Sequence, residues 1–424
     1  MEYLALLLIL VVALLGTPLF VVMSLGALVA FTLVETPISA VVVEIYRLSS
    51  APTLVTIPLF TFAGYLMAES GSPKRLLRLA NASFGQLPGG VAIVSLIICA
   101  FFTAFTGASG VTIIALGGLL YPILISEGHT KKFSYGLITT SGSLGLLFPP
   151  SLPIILYGLV AKVDIDKLFL AGIIPGFLLI LILSIWSVVN SGKGEREIRV
   201  EEKFSLKEWF AALKGCWPET LLPIGVLGGI YGGLATVSET AALTAAYILL
   251  LETIYYRDLS FRKDIPRIIL DSMSLVGGIL LILCCALGLT NYLVDEEIPL
   301  QILDWMREFL DNKYTFLLFL NLFLLVVGSL MDIFSAIIVV VPLIIPIATE
   351  FDIHPIHLAI IFLTNLEIGY ITPPVGINLF ISSFRFGRPI TELYRASFPF
   401  LLLLLLALIM ITYLPILSLV WFDQ

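Results

Sequence analysis

Residues 142–153 read GSLGLLFPPSLP, and residues 366–378 read LEIGYITPPVGIN. Aligned without a gap, they match at Gly145/Gly369, Pro149/Pro373 and Pro150/Pro374, each pair 224 positions apart. The same offset pairs Thr140 with Thr364, Pro122 with Pro346 and Ile123 with Ile347. In both copies the Pro-Pro pair begins 27 residues after that earlier proline. Gly and Pro inside long apolar segments break a membrane helix and free backbone carbonyls. Such breaks persist in lipid only where protein buries them or where they line a polar cavity. Two matched breaks in two halves point to the binding site of a secondary transporter.

Composition supports a membrane setting. The chain is 59% hydrophobic and 12% charged, so a soluble core-and-surface division has too few charges to cover it. Segments 3–15, 18–34, 220–235, 271–294 and 396–421 are almost free of charge. At about 20 apolar residues per spanning helix, there is room for roughly ten to twelve crossings. Residues 3–15 lack the preceding positive charge and the cleavage site of a signal peptide, and read as retained helix. The net charge of −7 implies no nucleic-acid partner. Cys99, Cys216, Cys284 and Cys285 show no CxxC spacing and read as membrane-embedded residues, without disulfides or a metal.

Lys and Arg in short loops mark the cytoplasmic side. Segment 193–214 carries six of them and 257–267 four. Two helices, 220–236 and 239–256, fit between, so both segments face the same side. Working backwards, loop 161–167 is external and Lys131, Lys132, Lys74, Arg75 and Arg78 are cytoplasmic. Residues 89–127 must then enter and leave on one side, as a re-entrant hairpin with its tip near 103–110. Working forwards, loops 295–313 and 350–357 are external. Residues 314–349 form a second hairpin from the opposite face, tipped near 328–336. Lys131 and its repeat partner Pro355 fall on opposite sides, so the duplication is inverted.

The expected fold is therefore an all-α integral membrane protein with two re-entrant helical hairpins and two broken transmembrane helices. Its parts are scaffold helices with an interfacial arm (1–88), a first transport repeat (89–160), and scaffold helices with cytoplasmic loop 189–217 (161–313). A second, inverted repeat (314–385) and a C-terminal helix (386–424) follow. Residues 3–34 fit one long or two short helices. Amphipathic stretches 37–48, 73–81 and 298–311 suit the lipid interface. No loop is long enough to hold a soluble ligand-capturing domain.

Chemistry concentrates at the breaks and tips. Unwinding at Gly145 or Gly369 presents carbonyl oxygens at mid-membrane, with half-helix dipoles aimed inward. With hydroxyls and amides they make hard ligands for a hard cation. Thr139, Thr140, Ser141 and Ser143 flank the first break; Thr364, Asn365, Thr372 and Asn378 flank the second. Thr103, Thr106, Ser109 and Gly110 end the first hairpin, and Ser329, Asp332 and Ser335 the second. Asp332, ionisable within an apolar stretch, is a functional candidate by default; it also suits a helix N-cap. Glu367 sits beside the second break, where the first has Ser143. Ser238 or Glu239 reads as a helix cap. His354 and His357, near Glu350 and Asp352, read as a polar external loop before they read as a metal site. The charged clusters all look interfacial, with no buried arginine paired to a carboxylate.

Three long motifs resemble one family. GASGVTIIALGGLLYPILISEGHTKKFSYGLITTSGSLGLLFPPSLPIILYG (107–158) is similar to the first hairpin and broken helix of the large membrane subunit of tripartite ATP-independent periplasmic (TRAP) transporters. GSLMDIFSAIIVVVPLIIPIA with NLEIGYITPPVGINLF resembles the second pair, and ATVSETAALTAAY the segment between. The resemblance implies a sodium-coupled importer moving as an elevator in the bacterial or archaeal inner membrane. It implies a small membrane (Q) subunit and a periplasmic substrate-binding (P) protein as partners, with Na⁺ as coupling ion and no other cofactor. Substrates would be organic acids such as C4-dicarboxylates or sialic acids. The sodium regions it implies are Ser109–Gly110 with Ser141 to Pro150, and Asp332 with Thr364 to Pro374.

Carboxylate carriers that work without a binding protein are the nearest alternative within transport. From another class, GASG at 107–110 matches the GxSG of rhomboid intramembrane proteases. A serine nucleophile needs a base, and all three histidines sit in or beside expected loops, so no enzyme is expected.

Overall fold

The computed structural model describes residues 17–33, 52–190 except 86 and 88, 205–298 and 312–422, with isolated positions 11, 43, 46, 301 and 304. The expectations for 3–15, 37–48 and 298–311 therefore fall almost wholly outside the described residues. Among those described there are helices and turns and no strand.

α1 (Leu19–Leu33), α2 (Thr56–Glu69) and α3 (Ser72–Phe84) precede the first repeat. Its hairpin is α4 (Gly90–Thr106) and α5 (Ser109–Ser126), and its broken helix is α6 (Lys131–Ser141) and α7 (Leu152–Ala161). α8 (Ile165–Val189), α9 (Leu206–Tyr231), α10 (Val237–Leu250) and α11 (Asp264–Asp295) lead to the second repeat. There the hairpin is α12 (Lys313–Leu330) and α13 (Ile333–Glu350), and the broken helix is α14 (Pro355–Gly369) and α15 (Ile377–Phe386). α16 (Ile390–Tyr413) and a short turn Ile416–Leu419 close the chain.

The duplication extends well beyond the matched letters. α5 and α13 begin and end 224 residues apart, α6 and α14 begin at the same offset, and α4 and α12 end at it. Pro149–Pro150 and Pro373–Pro374 are both cis. Proline removes a donor and forces the residue before it out of the helical region. Phe148 accordingly sits at φ −96°, ψ 140°, and the chain restarts as α7 with proline in its first turn.

Among the described residues, seven helices are long and apolar enough to span a bilayer, or eight when the bent α6–α7 pair, angled at 44°, counts as one. Shorter apolar helices accompany them within 20–32, 90–106 and 355–369. Their number and length are those of a multi-pass membrane protein. α14 is its centre, with every side chain from Ile356 to Gly369 buried. Burial on all sides suits its mostly apolar sequence, and it buries His357, Thr364, Asn365 and Glu367 as well. α12, α8, α16 and α13 enclose it.

Several expectations are corrected. α9 joins two helical pieces across a kink at Cys216 ahead of Pro218, so the helix expected from 220 is preceded without a loop by another that starts at Leu206. The cap of α10 is Thr236, whose side chain takes the Glu239 N–H while the Glu239 carboxylate takes the Thr236 N–H. His357 belongs to the first turn of α14, buried, with Nδ1 2.6 Å from Ser418 Oγ and Nε2 3.1 Å from Thr412 O. No group of three metal-type side chains gathers there or elsewhere among the described residues.

Arg75 is the largest correction. It contacts buried Glu219 and Glu252, donating to both Glu252 oxygens at 2.9 Å, and also reaches Asp258. Tyr256 stacks 3.6 Å below the guanidinium. An i→i+5 turn, closed by Tyr256 N–H on Leu251 O, turns Glu252 inward. Charges spaced far apart in sequence meet here because α3 lies along α9. Spacing alone carries no trace of that meeting.

Candidate functional site

Each break is seated on the hairpin of its own repeat. A Cβ on Gly145 would collide with Ala100 O and Ala104 N of α4, and a Cβ on Gly369 with the backbone of Gly328 on α12. Ala104 and Gly328 are themselves 224 positions apart. The glycines are therefore required by close backbone approach, the same approach made twice. Thr103 reinforces the first contact, donating 2.7 Å to Gly142 O and lying 2.8 Å from Thr112 Oγ1.

The broken segments are tight turns. Leu146 N–H donates to Ser143 O, Phe148 N–H to Gly145 O and Ser151 N–H to Phe148 O. In the second break, Ile371 N–H donates to Ile368 O, Thr372 N–H to Gly369 O and Asn378 N–H to Tyr370 O. Each carbonyl keeps a second lone pair. Pro149 and Pro150 are buried, whereas Pro373 and Pro374 are exposed.

The structure gathers one group from both repeats. Ser109 Oγ donates to Asn378 Oδ1 at 2.6 Å, and Asn378 Nδ2 donates to Thr139 O at 3.2 Å. Thr139 Oγ1 lies 2.9 Å from Ser382 Oγ. Gly110 packs against Ile381. Ser382 escaped the sequence reading, although it stands one helical turn after Asn378 on the same face. Ser109 thus faces an amide and not a histidine, an arrangement with no base for a serine nucleophile.

Other expected residues are occupied locally. Asp332 Oδ1 accepts from Phe334 N–H and Ser335 N–H at 3.0 Å, a complete N-cap, and its other oxygen takes the Ser335 hydroxyl. Tyr370 Oη accepts the next helical N–H, from Ile333, at 2.8 Å. Thr364, Thr372 and Ser141 return their hydroxyls to Ile360 O, Ile368 O and Ile138 O. Thr106 lies at the first tip, 3.4 Å from Ala108 O. Asn365 Nδ2 donates to Asn321 Oδ1 at 2.6 Å, away from the Ser109–Asn378 group.

Five buried atoms beside the breaks have no hydrogen-bond partner: Thr140 Oγ1, Ser151 Oγ, Asn365 Oδ1 and both oxygens of Glu367. Three are acceptors only, and the two hydroxyls accept as well as donate. Buried acceptors without donors are costly. Their chemistry fits a hard monovalent cation such as Na⁺, which takes oxygen ligands.

The fold and this paired site define a multi-pass membrane transporter built on a duplicated hairpin and broken helix. The family profile described as "Tripartite ATP-independent periplasmic transporter, DctM component" matches residues 4–417. The chain belongs to that family. Its members are transporter permeases, not enzymes, and the family implies substrate import with a periplasmic binding protein and a small membrane subunit. The C4-dicarboxylate TRAP transporter large permease protein DctM of Pseudomonas aeruginosa is 35% identical over 93% of this chain and 92% of its own length. The isethionate TRAP transporter permease protein DctMQ of Oleidesulfovibrio alaskensis is 33% identical over 94% of this chain and 63% of its own length. The crystal structure of the Alcanivorax borkumensis YdaH transporter is similar in fold, with TM-score 0.61 and 14% identity over 88% of this chain and 86% of that one.

Proposed function

We propose that this permease imports an organic anion in symport with Na⁺, receiving it from a periplasmic binding protein, with the two hairpins and broken helices moving together as an elevator. The observation that carries this reading is the repeated seating of each break on its own hairpin, beside buried oxygen acceptors without donors. Each hairpin and break form one packed unit, so they suit movement as a body. The Lys and Arg distribution supports re-entry of the hairpins from opposite faces. The names of the relatives support an anionic substrate, since C4-dicarboxylate and isethionate are both anions. The longer DctMQ relative supports a small Q-type partner for this chain.

Charge sets the stoichiometry. One elementary charge crossing 100 mV is worth about 2.3 kcal/mol. A dianion entering with one Na⁺ carries net negative charge against a negative interior; two make the step neutral, and a monoanion with two gains from the potential. Two breaks provide for two ions, so at least two Na⁺ per substrate is the expected ratio. The test is flux in proteoliposomes holding the permease, small subunit and binding protein, with an imposed sodium gradient and clamped potential. Uptake should need all three chains and sodium, and ion-to-substrate flux ratios should be two or more. Undiminished uptake without sodium, or with the permease alone, would refute this function.

A further inference from the structure

Glu367 is the one carboxylate on α14, and α14 is buried from end to end. Its side chain is wholly buried, and neither oxygen has a hydrogen-bond partner. Among the described residues, no ion pair or hydrogen bond joins the Glu367 carboxylate to a charged side chain of the helices packed against α14. The charges on those helices sit at their ends: Asp166 and Lys167 on α8, Lys313 on α12, Glu350 on α13, and Glu392 and Arg395 on α16. An ion left alone in a medium of low dielectric is among the costliest features a protein can carry. Such a residue must hold either a proton or a counter-charge from outside the chain.

Position indicates where that charge comes from. Glu367 and Ser143 occupy the same place in the two repeats, and they meet: Ser143 Oγ lies 3.5 Å from Glu367 O. Residues equivalent in two copies touch only where the copies face each other, so Glu367 stands at the contact between the two breaks. One turn before Ser143, the Thr140 hydroxyl is buried and unpartnered too. Apolar packing would need neither of these oxygens.

We propose that the Glu367 carboxylate is a monovalent-cation site at the contact of the two breaks, with Na⁺ as its occupant. This rests on the sodium-coupled reading but assigns a ligand that the duplicated motif does not, because the first repeat has serine there. The carboxylate supplies a full negative charge where the breaks otherwise offer carbonyl and hydroxyl dipoles. Ion and carboxylate together are neutral, which lets the pair stay in the protein interior.

The test is sodium binding to the purified full-length protein, read as the shift of its thermal unfolding midpoint on titrating NaCl against choline chloride. Wild type should be stabilised by sodium. Glu367→Gln, which keeps the volume and removes the charge, should weaken sodium affinity at least tenfold while its midpoint in choline stays equal or rises. A Gln variant with wild-type sodium affinity would overturn this assignment and leave the transport reading intact; a wild type indifferent to sodium would overturn both. Should the Gln variant not fold, Glu367→Asp decides: its shorter carboxylate should change sodium affinity, and an unchanged value refutes direct ligation. A proton is the competing occupant. An infrared band of a protonated Glu367 carboxyl, identified by its loss in the Gln variant and persisting in saturating sodium, would also overturn the proposal.

Discussion

The two breaks share their letters and their backbone, yet sit in different surroundings. From Thr139 to Gly158 the first is buried except for Phe148, which is half-buried. α8 presses on it, with Gly172 against Leu147 O and Gly176 against the Phe148 ring. In the second, Pro373 and Pro374 are exposed, and Tyr394 reaches Pro374 O at 2.6 Å from α16. The tips diverge as well. The first turns at Gly107, at φ +64°, and sends Ser109 across to Asn378 in the other repeat. The second turns at Met331–Asp332, and Asp332 spends its carboxylate on its own helix. Duplication thus preserves what the backbone must do and leaves side chains free to specialise. One half enclosed and the other open is an asymmetry that suits the alternating access proposed above.

Substitution at the shared glycines should give the largest effect. Gly145→Val places side-chain atoms inside the α4 backbone and should cost about 3 kcal/mol or more. Sodium-dependent uptake should be lost although the protein still inserts. Gly369→Val should act in the same direction but less, since Gly328 opposite it bears no side chain and the open second break has room to move. Equal residual uptake and equal stability in the two variants would mean that the enclosure of the first break has no energetic consequence.

The contrast between the tips should show at intermediate size. Ser109→Ala leaves the Asn378 oxygen buried without its donor, a loss of about 1–3 kcal/mol. Thermal or urea unfolding in detergent measures it, and no change would mean that the link between repeats is dispensable. The smallest effect belongs to Asp332. Asn caps about as well as Asp, so Asp332→Asn should stay within about 0.5 kcal/mol and leave sodium dependence unchanged, whereas Asp332→Ala should cost about 1 kcal/mol. A raised sodium requirement in the Asn variant would show that the charge reaches an ion and would make the tips more alike than their hydrogen bonds suggest.

The sequence by itself determined the repeat, its offset, the four helical pieces in each half and the glycines and prolines that break them. These are local effects: a proline lacks its donor and a glycine its side chain wherever the chain goes. Apolar runs likewise set the membrane class. Tertiary structure alone decided which polar groups meet. Ser109 pairs with Asn378 across 269 residues, and Arg75 gathers Glu219, Glu252 and Asp258 from other helices. It also decided that His357, expected in a loop, is buried, and that Glu367 has no partner. Spacing along one chain records which face of a helix a residue occupies, but not which helix will lie against that face. The pairing of a buried charge, or the lack of it, depends on that second fact.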